Sequence, residues 1–309
     1  MPHVLSITAP TFGLIFIGYA AARLRLFDTG VGDGLATYVY TLAIPCLLLR
    51  TILHSQLPDE QPWGYWLAYF AGVAVAWTLA TLAARCLFGR DRREAVIFGF
   101  TAGQANTALV GIPLILDAVG PDAATPLALL LAVHLPLMTT VATLLLEGAG
   151  EAGLAHARRR VMRTLATNPI MIGIYLGLAL RASGLDTSGP LDRLVDPVAA
   201  SAAPCALIGM GLALARYGVG GEWRPAALVS LCKLVVHPAV VFVLARHVFA
   251  MPHAWSTVCV LFASCPSGVN AYLLAARERV GAATASASVS LSTVLAAVTI
   301  SLWLAILAV

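Results

Sequence analysis

Apolar runs of about twenty residues recur along this chain, separated by short stretches that carry most of its charge. A helix of that length spans the hydrocarbon core of a bilayer, since each residue rises about 1.5 Å. Only 11% of the 309 residues are charged, and the mean hydropathy is +0.87. Soluble domains carry roughly 25% charged residues. A chain this apolar cannot cover a water-facing surface, so lipid is its solvent. The fold class this predicts is an all-α polytopic membrane protein.

Ten runs qualify as spans: 4–22, 34–54, 64–88, 95–116, 125–147, 168–181, 194–216, 225–249, 254–276 and 282–308. In the sixth, Asn168 and Pro169 either cap the helix or lie just inside it. The opening "MPHVLSITAP" has no basic region ahead of its apolar run and no small-residue cleavage site after it. It therefore reads as the first span and not as a removed signal. Lys and Arg resist translocation, so their distribution orients the bundle. Alternate connections hold 14 basic residues, among them Arg90, Arg92, Arg93, Arg158, Arg159, Arg160, Arg277 and Arg279; the opposite connections hold only Arg50, Arg181, Arg193 and Arg246. The basic side is cytoplasmic, which leaves both termini non-cytoplasmic in a multi-pass protein of the cell inner (plasma) membrane.

The basic run "HARRRVMR" at 156–163 reads as a topology-fixing loop, so no nucleic-acid partner is expected. It lies in the longest cytoplasmic connection. The chain divides there into a first five-helix repeat (1–148), a basic linker (149–166) and a second five-helix repeat (167–309). Because five is odd, a duplicated half must be inverted in the membrane, a signature of secondary transporters. "AIPCLLLRTI" in span 2 matches "AAPCALIGMG" in span 7, setting Pro45-Cys46 against Pro204-Cys205. "FTAGQANTALVGIPLI" in span 4 matches "FASCPSGVNAYLLA" in span 9, where both gather Gly, Pro and Asn within a dozen residues.

Spans 4 and 9 are the most polar and the most interrupted, and they occupy corresponding positions. Such a pair marks a transporter's binding site. Proline donates no backbone hydrogen bond and clashes with the preceding turn, so Gly111 and Pro113 are expected to open span 4. Pro266 and Gly268 are expected to do the same in span 9. Backbone groups freed in the membrane need protein, water or substrate to satisfy them, and half-helix N-termini favour anions. If the breaks cross, Gln104, Asn106 and Thr107 face Ser264, Ser267 and Asn270. These uncharged groups suit a carboxylate that must also leave again. The alternative is that they only satisfy the broken backbone or bind helices together.

Intramembrane ionisable groups are functional candidates. Lys233 and His237 share a face of span 8, four residues apart, and His134 lies beside Pro136 in span 5. All three are candidates for coupling or gating. For Lys233 the competing reading is a snorkelling side chain, and for the histidines it is packed neutral rings. No Asp or Glu lies deep in a span; Asp117 and Glu147 sit at ends. That disfavours sodium coupling. The six cysteines form no CxxC pair, and HExxH, GxxxxGK[ST] and GxSxG are all absent from the sequence. Neither metal, cofactor nor enzymatic activity is expected.

Several segments resemble the auxin efflux carrier family and its bacterial members, within the bile acid/auxin-carrier-like superfamily. "ANTALVGIPLI" resembles the family's Asn-Thr-x-x-x-Gly-Ile-Pro-Leu segment on the fourth helix, and "NPIMIGIYLGL" its Asn-Pro segment opening the second half. "CPSGVNAYLLAARER" resembles the ninth helix, while "KLVVHPAVV" and "ALIGMGLALA" resemble the eighth and seventh. The resemblance implies ten helices in two inverted five-helix repeats, with broken helices 4 and 9 crossing at the substrate site. It further implies a scaffold of helices 1, 2, 6 and 7, and a transport group of helices 3–5 and 8–10 that moves like an elevator. It places Asn106 on the substrate carboxylate and makes the protein a homodimer, while Gln104, Thr107, Pro45, Ser267 and Asn270 stand as the further candidates for substrate contact. Asn270 departs from the family, standing roughly where its second ninth-helix proline lies. The expected function is secondary active or potential-driven transport of small organic anions, auxin-like or carboxylate, by elevator-type alternating access. A sodium-coupled bile-acid-type symporter and a non-transporting membrane ligand sensor are the alternatives.

Overall fold

The computed structural model describes residues 2–54, 63–147, 159, 162–163, 166–184, 189–216 and 222–309. Most of the basic linker expected at 149–166 lies outside them. Nearly every described residue outside the short connections is helical: α1 (Pro2–Arg23), α2 (Thr29–Tyr38), α3 (Ile44–His54), α4 (Trp63–Cys86), α5 (Arg92–Gly103), α6 (Ile112–Val119), α7 (Ala124–Glu147), α8 (Pro169–Ser183), α9 (Pro190–Leu214), α10 (Trp223–Leu231), α11 (His237–Val243), α12 (His253–Ser264), α13 (Val269–Glu278) and α14 (Ala282–Leu307). Seven stretches are long and apolar enough to cross a membrane by length and composition. Two shorter apolar helices, Pro169–Ser183 and His253–Ser264, accompany them. Large apolar side chains such as Phe16, Leu67, Leu82, Val298 and Leu302 point outward and are more than half exposed. A lipid-facing exterior accepts them.

Three prolines share one local solution. Wide π turns at Val39–Ala43, Thr107–Gly111 and Cys232–Val236 each end two residues before a proline, namely Pro45, Pro113 and Pro238. The residue just before each proline (Ile44, Ile112 and His237) donates its N–H five residues back, to the carbonyls of Val39, Thr107 and Cys232. The extra residue in the turn accommodates a ring that would otherwise press on the carbonyl four residues earlier. Helices with proline therefore continue here where a break is expected. Pro113 accordingly sits near the start of α6, where its missing N–H removes no needed donor.

Small residues let the helices approach closely. A Cβ on Gly18 of α1 would meet the Ile208 carbonyl oxygen of α9 at 2.2 Å, and one on Gly211 of α9 would meet that of Ile15 at 2.1 Å. Gly173 of α8 lies against the backbone of Pro45, and Gly72 of α4 against Val241 of α11. The extensive packings are α1 on α9, α3 on α8 and α9, α4 on α5 and α11, and α10 on α14. The buried core is centred on Tyr69, Phe98, Phe100, Ile112 and Phe262.

Candidate substrate site at the crossing of two interrupted helices

The interruption that opens the fourth apolar run lies at Gln104–Asn106. Gln104 (φ −80°, ψ 115°) and Asn106 (φ −79°, ψ 72°) leave the helical region. Gly111 is helical (φ −66°, ψ −50°) and closes the wide turn by donating its N–H to the Asn106 carbonyl at 3.0 Å. The expected break at Gly111 and Pro113 is thus corrected: the π turn absorbs both. In the second half, Cys265 to Gly268 are extended, so Pro266 and Gly268 do lie in the interruption.

The two interruptions pair with each other. Ala105 and Ser267 form an antiparallel bridge. Asn106 N–H donates to the Pro266 carbonyl at 2.8 Å, and Gly268 N–H to the Gln104 carbonyl at 2.9 Å. A Cβ on Gly268 would stand 2.9 Å from the Ala105 carbonyl oxygen, so the close approach calls for glycine. The outward-facing groups are dressed by side chains from other helices. Ala105 N–H donates to His134 Nε2 of α7 at 3.3 Å, and Ser267 N–H donates to Ser292 Oγ of α14 at 3.0 Å. Ser267 Oγ donates to the Thr101 carbonyl at 3.0 Å, while Lys233 Nζ donates to the Ala263 carbonyl. A cation at the C-terminal end of α12 also complements that helix's dipole.

Beside the crossing lies a cavity of about 460 Å³. Gln104, Ala105, Asn106, Thr107 and His134 line it, joined by Tyr40, Asn168, Gly268 and Asn270. A neighbouring hollow of about 490 Å³ shares Tyr40, Leu135, Asn168, Asn270 and Leu273 with it and adds Thr139, Thr167 and Arg277. The lining of both contains no carboxylate, and its one fixed charge is Arg277. The starts of two half-helices, Thr107 and Val269, and the start of α8 at Asn168 and Ile170 all reach the cavity wall. Backbone N–H groups without intrahelical partners are concentrated at such starts.

Within the cavity Gln104 is 1% exposed, and its Oε1 has no hydrogen-bond partner among the described residues. Among the described residues the Asn106 amide donates only to the thioether of Met210 of α9, at 3.1 Å. Sulfur is a weak acceptor, so this amide is available to a better one. Thr107 is half-buried and Asn270 exposed, and both face the cavity.

The remaining candidates lie away from the cavity wall. Pro45 lies against Gly173 and does not line the cavity. Ser267 and Ser264 are buried and spend their hydroxyls on backbone carbonyls, Thr101 and Leu261 respectively. Lys233 does not snorkel: it is fully buried, holds the Ala263 carbonyl and lies 3.3 Å from His237 Nδ1. His237 is likewise buried behind the crossing and does not line the cavity.

Sequence reasoning missed Asn168, Tyr40, Thr139 and Arg277 as lining residues. Asn168 was visible as a helix cap, and it does accept from Ile170 N–H at 2.9 Å, but it also lines the cavity wall beside Tyr40. Arg277 follows Asn270 by seven residues, which places the two on one face of α13.

On the side carrying the basic connections, Arg90 grips Glu222 with Nη2 at 2.7 and 3.0 Å from its two oxygens. Thr284 at the start of α14 donates to the same carboxylate at 2.9 Å. Burial opposes the Glu222 charge, but hydrogen bonds from Arg90 and Thr284 and the guanidinium's charge outweigh it, holding the carboxyl below its ordinary value.

The chain matches the family model described as "Membrane transport protein" over residues 3–304. It is 28% identical over 302 residues to a protein of Rhizobium meliloti (strain 1021) named a putative malonate transporter, covering 97% of this chain and 94% of that one. It is 24% identical to an uncharacterized transporter of Methanothermobacter thermautotrophicus, covering 95% of each. A lysosomal cholesterol signaling protein of Mus musculus is 21% identical over 238 residues, which is 72% of this chain but 27% of the mouse protein. With nearly its whole length matched, the chain belongs to the auxin efflux carrier-like membrane transport family.

Proposed function

We propose that this protein is a secondary transporter of small carboxylates, working by alternating access around the crossing. The observation that carries this reading is the bridge between Ala105 and Ser267, which aims two half-helix starts and the Asn106 amide at one carboxylate-free cavity. Positive dipole ends and neutral donors attract an anion without trapping it. The relative named as a malonate transporter makes a short dicarboxylate the first substrate to test.

The same reading arranges the chain as ten spans in two inverted repeats. It is supported by the matching treatment of the two interruptions: the N–H of the bridged residue is capped from α7 in one half and from α14 in the other. The packing supports a division into a scaffold of α1–α3, α8 and α9 and a moving group of α4–α7 and α10–α14. The cavity lies between these groups, with Tyr40 and Asn168 on one wall and Asn106 and Asn270 on the other. Sliding of one group past the other carries the crossing across the membrane. Against sodium coupling, Lys233 already occupies the Ala263 carbonyl, a group that a bound cation at the crossing would use.

Counterflow tests the reading. Liposomes containing the protein and loaded with unlabelled malonate are expected to accumulate labelled malonate from outside, saturably and without a sodium gradient. The similarity to a signaling protein supports a second reading, a ligand sensor. Binding with no exchange would establish the sensor and overturn transport.

A further inference from the structure

We infer that His134 is the proton-binding site of the transport cycle, and that a proton and the substrate carboxylate enter together, held by the His134 imidazolium and the Ala105 amide as one two-pronged anion site. This rests on the reading of the cavity as a carboxylate site.

His134 lies in the cavity wall and is 1% exposed. Its Nε2 accepts the Ala105 N–H at 3.3 Å, so that nitrogen carries no proton and the ring is neutral. The proton of the neutral ring is then on Nδ1, 3.1 Å from the Tyr69 hydroxyl, which accepts it. A second proton can therefore bond only to the Nε2 lone pair. When it does, the Ala105 N–H loses its acceptor, and two donors 3.3 Å apart point at each other, so they part to admit an acceptor between them. A carboxylate, with two oxygens, accepts from both. On release at the other face the proton leaves Nε2 with the substrate, and the Ala105 bond re-forms.

The surroundings make the two uptakes interdependent. Tyr69 of α4 and Phe262 of α12 pack on the His134 ring. Beyond Tyr69 lies His237 of α11, and beyond that Lys233. Cys259 and Cys265 stand on or beside α12, and Tyr40 shares the cavity. Among the described residues no carboxylate faces this cluster; Asp117 and Glu147 lie at helix ends. An imidazolium here is a buried cation in a region that already holds Lys233, and no carboxylate among the described residues offsets it. The arriving substrate supplies the missing negative charge. By reciprocity, whatever the carboxylate adds to proton affinity the proton adds to carboxylate affinity.

Calorimetry of malonate binding, in buffers of different ionisation enthalpy, counts the protons taken up. Comparing wild type with His134→Gln at each pH cancels the titration of malonate itself. Wild type is expected to take up about one proton per malonate more than the variant, with affinity falling up to about tenfold per pH unit as pH rises. His134→Gln can still accept the Ala105 N–H and is expected to bind malonate with that extra uptake and that pH slope removed. Equal proton counts in the two proteins overturn the inference while leaving the carboxylate site intact. Wild type that binds no carboxylate overturns the site itself and this inference with it. Should His134→Gln fail to fold, Tyr69→Phe keeps the imidazole but removes the partner of Nδ1. Its proton count is expected to persist with a displaced pH midpoint, and an undisplaced midpoint overturns the assignment.

Discussion

Thr101 and Ala263 hold the same place on the two sides of the crossing, each four residues before its bridged residue, yet their carbonyls are satisfied by different chemistry. Ser267 Oγ serves Thr101 and Lys233 Nζ serves Ala263. Both carbonyls lie in the last turn of a half-helix, where no N–H four residues on continues the ladder. In a membrane interior such an oxygen needs a donor.

The difference predicts an order of costs. Lys233→Met fills a similar volume but removes a hydrogen bond from a charged donor, an expected loss of about 1.5–3 kcal/mol. Ser267→Ala removes a neutral hydrogen bond, worth about 1 kcal/mol. Thermal unfolding in detergent is expected to rank Lys233→Met below Ser267→Ala, and both below wild type. The reverse order would show that the lysine is not what satisfies the end of α12.

Asn106 separates structure from binding. Its backbone makes the bonds that matter to the crossing, to the Pro266 carbonyl and from the Gly111 N–H, and these survive truncation of the side chain. Among the described residues the side chain itself donates only to Met210 Sδ. Asn106→Ala is therefore expected to fold normally and to lose at least about tenfold in malonate affinity, about 1.4 kcal/mol. Met210→Leu removes the weak acceptor without touching the amide, so its affinity is expected to stay within about threefold of wild type. Calorimetry on both variants checks the pair, and normal affinity in Asn106→Ala would remove the asparagine from the site.

Glu222 gives a pH signature. Its carboxyl is held below its ordinary value chiefly through Arg90 and Thr284, against burial, so folding favours the charged form. The resulting stabilisation is fully present above the unfolded-state value and is lost as pH falls through the folded one. Side-chain exposures of 26% for Arg90 and 25% for Glu222 leave the pair partly screened. Glu222→Gln is expected to lower thermal stability by about 1–2 kcal/mol at neutral pH. That gap should close as the solution is acidified through the carboxylate range. A gap independent of pH would assign the loss to packing.

Much of this architecture was legible as apolar runs, because a span announces itself by length and hydropathy alone. Asn106 was legible too, as an amide in an apolar stretch with no local use. The position of the break was not. Pro113 and Gly111 carry the local signal, but a π turn absorbs a proline within a helix. Extended backbone at Gln104–Asn106 persists because Pro266–Gly268 pairs with it, a relation between segments far apart in sequence. Lys233 was ambiguous for a similar reason. Its long stem can reach an interface or an interior carbonyl, and only the position of Ala263 decides between them. Tyr40 and Arg277 escaped notice because a single tyrosine or a helix-end arginine becomes a lining residue only when another helix closes the cavity.

The glycines of α1 and α9 test whether close approach holds these two helices together. A Cβ on Gly211 would meet the backbone oxygen of Ile15 at 2.1 Å, and one on Gly18 that of Ile208 at 2.2 Å. Backbone cannot swing aside as a side chain can, so either alanine must push the two helices apart along their contact. Gly211→Ala is expected to destabilise by about 1–3 kcal/mol. A Cβ on Gly13, also in α1, would have no neighbouring atom within 4 Å, and Gly13→Ala is expected to remain within about 0.5 kcal/mol of wild type. Thermal unfolding of the two variants side by side isolates the steric effect, since both add one methyl group to a helical glycine. Equal stability of the two variants would mean that α1 and α9 yield at their contact.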